Sequence, residues 1–335
     1  MKKNVFLITA VTLASSLCWM GCNKSGKLNQ PSTFKPPAGP VELKLKWPVG
    51  ERVSQSLDVK MNMQISGTNL PSTINQDMTL GEDFGLNVLK AEADGGHEVE
   101  LEFQGIRMKL VQGGKSLIDY DSAKKSSANG KDPGLATVEK MFQNVIGAKI
   151  QYFLDASNQV ERMEGYDTLM NALAVGGQAS AANSMKSMFN EGSLKQMIGG
   201  QHLPTKPVQP GDSWPVQTDV TMGELGTMTM NYNFNFERWE MHGKRMCARL
   251  EFQGTLKSKA NPEAAATGMA VSVQNGDSSG VTWFDPELGM VIETIMNQNM
   301  DMNMTMPVPG RGKNATQTMT MAMKQAISVK LNSVK

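Results

Sequence analysis

The sequence predicts an α+β protein that is mainly antiparallel β, with two related halves that each form a long curved sheet clasping helices. Two observations lead to this class. Apolar and polar residues alternate with a period of two over most of the chain from Val41 onward, which is typical of strands with one buried face. The pentapeptide Leu-Glu-Phe-Gln-Gly occurs at 101–105 and again at 250–254, which indicates an internal repeat.

The surroundings of the two pentapeptides also match. A Gly-acid pair precedes each alternating region, at 50–51 and at 211–212. The repeating unit is much longer than the repeats of solenoid proteins. We therefore predict a first β-rich repeat over 41–200 and a second over 201–335, with Phe103 and Phe252 at equivalent buried strand positions.

The alternation changes phase at Gly105, which predicts a β-bulge. Helical spacing predicts a helix over 135–148, a broken helical segment over 166–198 and a further helix in the Ala-rich stretch 261–270. In the second half, two long strands carry methionine at every second position, around Met302 and Met321. Strands of that length must twist and bend.

The N-terminus carries export signals. Lys2 and Lys3 precede an apolar stretch over 5–17 that is too short for a membrane span. Gly21 and Cys22 follow, and this junction resembles the cleavage box of bacterial lipoproteins. The resemblance implies a signal peptide over 1–21 and acylation of Cys22, for example with palmitate. The Pro-rich stretch that follows predicts a disordered tether over 22–40.

Composition excludes several classes of function. The net charge of +1 gives no reason to expect nucleic-acid binding. Once Cys18 leaves with the signal peptide and Cys22 is acylated, only Cys247 is left, so no intramolecular disulfide is expected.

We find no motif for a catalytic site, a cofactor or a metal. His97 and His242 occupy related turns and are predicted to be solvated turn residues.

Methionine, with 27 residues, is the unusual feature of the composition. Its thioether fills irregular cores, lines adaptable apolar surfaces and is a soft ligand for Cu(I). The strand faces could therefore form a solid core, line a cavity for an acyl chain or another apolar ligand, or bind copper. The candidate ligand-binding residues are Met228, Met230, Tyr232, Phe234, Met302, Met304, Met321 and Met323.

The Gly21-Cys22 junction, the Pro-rich tether, the segment Gly211–Trp214 and the paired repeats together resemble an uncharacterised family of bacterial lipoproteins. No activity follows from this resemblance. The architecture is similar to the half-barrel of periplasmic lipoprotein carriers. Asn23 after the acylated Cys favours the outer membrane by family analogy.

These observations predict a non-enzymatic, lipid-anchored protein of the cell envelope that faces the periplasm and binds an apolar ligand, a lipid or an envelope protein. The first alternative is a structural or assembly lipoprotein without a ligand cavity. The others are a Met-rich copper-binding protein and a hydrolase whose site the sequence does not reveal. A buried, perturbed acid or base in a cleft would favour the hydrolase.

Overall fold

The computed structural model describes residues 27–67, 70–124, 133–174, 191–196, 198, 202–221, 226–259, 270–307 and 316–335. Strands dominate this part of the chain, as the alternation predicts. In the first half they are β1 (Arg52–Gly67), β2 (Ile74–Ala91), β3 (His97–Gln112), β4 (Lys115–Asp121), β5 (Lys149–Leu154) and β6 (Val160–Glu164). In the second half they are β7 (Ser213–Thr221), β8 (Thr227–His242), β9 (Arg245–Lys259), β10 (Ala270–Asp285), β11 (Met290–Pro307) and β12 (Thr316–Val334).

These strands form one open, curved antiparallel sheet, whereas the sequence predicts a curved sheet in each half. Its order is β6-β5-β3-β2-β1-β12-β11-β10-β9-β8-β7, and β4 pairs with β3 off this path. The two halves join because β12 pairs with β1 from Val53↔Val334 to Gly67↔Met319. The prediction of two sheets is wrong for this reason: an alternating strand does not encode which neighbour it pairs with.

The two copies of the pentapeptide lie in strands. Phe103 on β3 and Phe252 on β9 are both buried. The predicted bulge is also confirmed, because Asp83 pairs with Gly105 while Phe84 pairs with Phe103. One extra residue on β3 therefore separates these pairs, and it shifts the buried register from Phe103 to Ile106.

Three described helices accompany the first half of the sheet. They are α1 (Pro133–Val145), α2 (Tyr166–Ala174) and α3 (Glu191–Gln196). The helical predictions for 135–148 and for parts of 166–198 are confirmed. The break predicted within the helical segment 166–198 and nearly all of the Ala-rich helix, 261–269, lie outside the described residues. Among the described helices, none combines the length and the apolar character that a membrane span requires.

The helices pack on the buried face of the sheet. The ring of Phe142 on α1 stacks on Tyr120 of β4 with centroids 5.2 Å apart. The hydroxyl of Tyr152 on β5 donates to the carbonyl of Leu194 on α3 at 3.1 Å. Because α3 also lies against β7, this helix contacts strands near both edges of the open sheet.

An N-terminal strap, residues 30–48, crosses the end of the sheet where β1, β7, β9 and β11 begin. Leu43, Leu45 and Trp47 are buried, and Lys44 and Lys46 alternate with them on the exposed side. Trp47 Nε1 donates to Asn158 Oδ1 at 2.7 Å, between β5 and β6. Three apolar side chains thus close the core at this end, which we call the strap end.

Residues 22–26 of the predicted tether, 22–40, lie outside the described residues, and the described contacts of residues 32–34 differ from the predicted disorder. Ser32 Oγ and Thr33 Oγ1 donate to the carboxylate of Glu287 at 2.7 and 2.6 Å, and Phe34 packs on Trp239 with ring centroids 5.1 Å apart. The hydroxyls of a Ser-Thr pair therefore fix a segment whose composition alone predicts a free tether.

A buried ion cluster supports this attachment. Arg245 Nε donates to Asp285 Oδ2 at 2.5 Å, and Arg245 Nη2 donates to Glu287 Oε2 at 2.8 Å. Burial acts to raise the pKa of Glu287, but the hydrogen bonds from Thr33 and Ser32 and the charge of Arg245 outweigh it and hold this pKa at about 2. Glu287 therefore stays ionised and keeps binding the strap well into the acid range.

Candidate apolar ligand site

The methionine face is the buried side of the sheet in the halves of the strands that lie away from the strap end. Its residues share the inward register of β1, β2, β8, β11 and β12. They are Met61, Met63, Met78, Met228, Met230, Met300, Met302, Met304, Met319, Met321 and Met323.

The structure brings one group of the predicted residues together. Met302 pairs directly with Met321, and Met304 pairs with Met319 across β11 and β12. Next to them, Met323 lies opposite Met300 on one side and opposite Met63 on the other. Directly opposed side chains on one face are about 5 Å apart, so three adjacent strands form a continuous thioether surface.

A second group of predicted residues lies elsewhere on the sheet. Met228, Met230, Tyr232 and Phe234 are on β8, which is three strands away from β11. At the usual spacing of neighbouring strands this separation is about 14 Å along the sheet. The two groups therefore share a face without contact along the sheet, and the sequence does not reveal this separation.

The aromatic members of the β8 group belong to a packed cluster. Phe234 lies 5.0 Å from Phe252 and 5.9 Å from Trp214, measured between ring centroids. The hydroxyl of Tyr232 donates to the sulfur of Met230 at 3.3 Å. Because their rings already contact one another, Tyr232 and Phe234 offer less surface to a ligand than the methionines of β11 and β12.

Two histidines, His202 and His242, lie in packed surroundings. His202 is buried beside Thr218, with His202 Nε2 3.3 Å from Thr218 Oγ1, and burial lowers its pKa to about 4. The imidazole is therefore neutral at physiological pH. His242 is not a freely solvated turn residue: its ring stacks on Trp283 at 4.4 Å, and its Nε2 lies 2.8 Å from Glu293 Oε2.

Sequence reasoning missed three polar side chains in the inward register. Ser278, Gln298 and Gln325 lie on β10, β11 and β12, and Ser278 pairs with Gln298, which pairs with Gln325. All three are buried, and neither the Ser278 hydroxyl nor the four amide N and O atoms has a hydrogen-bond partner in the structure. An unpaired buried polar group costs about 1–3 kcal/mol. The signal is visible in the sequence, because each Gln interrupts a methionine alternation.

Glu82 is a second missed residue in the inward register. It lies on β2 between Leu57 of β1 and Ile106 of β3. Burial raises the pKa of this carboxyl from 4.5 to about 7. Desolvation is the cause of the shift, and no charged neighbour contributes to it. Such a group is a neutral acid over part of the physiological range, but it lacks the charge coupling of a catalytic carboxylate pair.

The opposite face of the sheet carries an open cleft of about 670 Å³. Charged residues of β1, β3 and β4 line it, and Arg107 pairs with Asp83 and lies 3.9 Å from Asp58. Within the described residues, no group of three His, Cys, Asp or Glu side chains could hold a metal ion. Two cations of the cleft, Arg107 and Lys124, pair with carboxylates, and we take the methionine face as the stronger candidate.

The fold and the site define a large antiparallel sheet protein with a methionine-lined buried face. The chain belongs to a family of unknown function, DUF6263, whose model matches residues 94–291. No curated protein matches the sequence.

The similarity to solved structures is remote. A structure of lipovitellin that addresses lipid–protein interactions shares 9% identity with a TM-score of 0.44, and the match covers 86% of this chain but 26% of that one. This chain thus spans about a quarter of lipovitellin. A protein with a YmcC-like fold from Bacteroides fragilis shares 11% identity with a TM-score of 0.26, over 82% and 94% of the two chains. OccK7 of Pseudomonas aeruginosa shares 8% identity with a TM-score of 0.21, over 85% and 100%. At these scores the likeness carries no functional inference.

Proposed function

We propose that this protein is a non-enzymatic lipoprotein of the cell envelope, anchored through a lipid on Cys22, that binds an apolar ligand on its methionine face. The anchor rests on the sequence: a basic start, a short apolar stretch and the Gly21-Cys22 junction. The binding role rests on the composition and burial of the face. A periplasmic orientation and the outer membrane, favoured by Asn23, are part of the same proposal.

The observation that carries the binding proposal is the graded burial of the methionine face. Along β11, the exposed fraction rises from 2% at Met300 to 7% at Met302, and Met304 and Met306 are only partly buried. On β11 the face therefore becomes more exposed away from the strap end, while Met228 and Met319 at the same end of β8 and β12 are buried. Methionine is frequent on surfaces that adapt to apolar partners, because its side chain is flexible and polarisable.

Binding is tested with a pyrene-labelled alkane and with the Met304→Phe variant. The wild type is expected to bind the probe, and the larger ring at this partly buried position is expected to weaken binding while the melting temperature stays close to that of the wild type. The neighbouring Asn303→Phe, whose side chain is on the other face, is the matched control. Absence of binding by the wild type would refute the proposal.

The lipid anchor has its own test. Cys22→Ala is expected to move the protein from the membrane fraction to the soluble fraction, because no acyl chain can be attached. Cys247→Ala, which removes the buried thiol, is the control and should leave the distribution unchanged. Equal membrane recovery of Cys22→Ala and the wild type would contradict lipid anchoring.

A structural or assembly lipoprotein without a ligand is the second candidate. The nearly complete burial of Met228 and Met300 favours it, because both are as inaccessible as ordinary core residues. In that case the wild type would retain no lipid from the envelope, and mass spectrometry of extracts from the purified protein would show none.

The order of the strands supports an internal duplication, which we propose as the origin of the two halves. Read in one direction along the sheet, the series β7-β8-β9-β10-β11 is followed, after β12, by the corresponding series β1-β2-β3-β5-β6 in the same sense. Both pentapeptides fall on the third strand of their series. A superposition of the two series that does not place Phe103 on Phe252 would contradict this origin.

A further inference from the structure

A polar row crosses the centre of the methionine face. It consists of Gln325, Gln298 and Ser278 on three adjacent strands, and Met61 and Gly254 lie at its two ends. Each member is at most 3% exposed. Charged side chains are absent from this row, because the flanking residues are a methionine and a glycine.

The amides have more hydrogen-bonding capacity than the row can satisfy. Each Gln amide offers two N–H donors and one carbonyl acceptor. If the side-chain amides rotated so that Gln298 and Gln325 formed a hydrogen bond, the NH2 group of one would donate to the carbonyl oxygen of the other. The Nε2 of the second amide and the Oε1 of the first would still be unpaired. The inward neighbours along the two strands offer these amides only thioether and alkyl groups, which are weak hydrogen-bond partners or none. They are Met296, Met300, Met323 and Ile327.

The unmatched groups define the chemistry of a complementary ligand. Neutral amides bind groups that both accept and donate, or only accept, such as an ester, an amide or a hydroxyl. A carboxylate or phosphate would enter this low-dielectric site without a countercharge, which is costly. Methionine on the rest of the face suits an acyl chain, which can extend from Gln298 toward Met306 over roughly 27 Å of strand.

We propose, on the basis of the ligand-binding function above, that Gln298, Gln325 and Ser278 bind the uncharged ester group of a neutral lipid whose acyl chain lies on the methionine face. The pair of amides then sets the class of ligand, and the methionines adapt to the length of its chain. This inference goes beyond apolar binding, because it predicts discrimination between an ester and a plain alkane.

The test compares 1-monooleoylglycerol with the pyrene-labelled alkane as probes of the full-length protein. The double variant Gln298→Leu/Gln325→Leu is expected to lose about ten-fold or more in affinity for the monoacylglycerol, the equivalent of one lost hydrogen bond. Its affinity for the alkane should change by less than about two-fold, because the apolar surface is preserved. Gln64→Leu, on the exposed face of β1, is the matched control and should match the wild type with both probes.

The stability of the double variant provides an independent readout. Since the amides are unpaired in the free protein, the double variant should melt at the same temperature as the wild type or higher. A lower melting temperature would mean that the two amides satisfy each other, and it would overturn the proposal. Equal monoacylglycerol affinity of the double variant and the wild type would also overturn it, while binding of the alkane would still support the proposed function. Failure of both probes with the wild type would refute both.

Discussion

Glu82→Gln should stabilise the protein at neutral and alkaline pH. Glu82 is 7% exposed and is surrounded in its row by Leu57 and Ile106. Its pKa in the folded state is about 7, compared with an ordinary value of 4.5. The folded state therefore holds a proton that the unfolded state releases between these values, and the wild type loses stability as the pH rises through this interval. At about 1.36 kcal/mol for each pH unit, the full difference is about 3 kcal/mol.

The assay is urea denaturation of the wild type and Glu82→Gln at a series of pH values from 4.5 to 8.5. The variant should be more stable by up to about 3 kcal/mol above pH 7 and nearly equal to the wild type near pH 4.5, because a protonated Glu resembles Gln. The exposed Glu42→Gln is the control. A stability difference that does not depend on pH would refute the claim that the Glu82 carboxyl titrates inside the core.

Three further predictions concern the methionine face, the strap and the free thiol. Met228→Ala should lower the free energy of unfolding by about 2–5 kcal/mol, and Met304→Ala by clearly less, because its side chain is only partly buried; equal losses in urea denaturation would contradict the graded burial. Glu287→Ala should speed tryptic cleavage after the exposed Lys44 of the strap, because Ser32 and Thr33 lose the carboxylate that accepts their hydrogen bonds; an unchanged cleavage rate would show that these contacts do not hold it. Burial raises the pKa of the Cys247 thiol, so a thiol reagent should modify this residue only after denaturation, and rapid labelling of the native protein would contradict its burial.

The local structure of this protein was largely predictable, and its strand pairing was not. The period of two places Met61, Met302 and Met321 on buried faces because side-chain direction follows directly from strand geometry. The partner of a strand depends on the path of the whole chain, and nothing in the alternation of β12 reveals that it pairs with β1. The single continuous sheet was therefore out of reach of sequence reasoning.

The candidate site was also predictable only in part. The methionines were found because they are unusual in number and regular in spacing. The alternation of apolar residues does not single out the polar residues that share the inward register. These are Gln298, Gln325 and Glu82. The attachment of Ser32 and Thr33 depends on a carboxylate more than 250 positions away in the chain, so composition predicted a free tether there.

If Cys22 carries the proposed lipid, the attachment of the strap limits how far the sheet can lie from the membrane. Ser32 is fixed to the sheet only ten residues after Cys22, a reach of at most about 36 Å for an extended chain. An acylated Cys22 would therefore keep the strap end within that distance of the bilayer. The partly buried methionines lie at the opposite end, up to about 60 Å away along a strand as long as β12. With the proposed anchor, the partly buried methionines would lie at the end of the molecule farther from the lipid layer. An apolar ligand bound there would be exchanged with the periplasm or with a partner across it rather than with the membrane that carries the anchor.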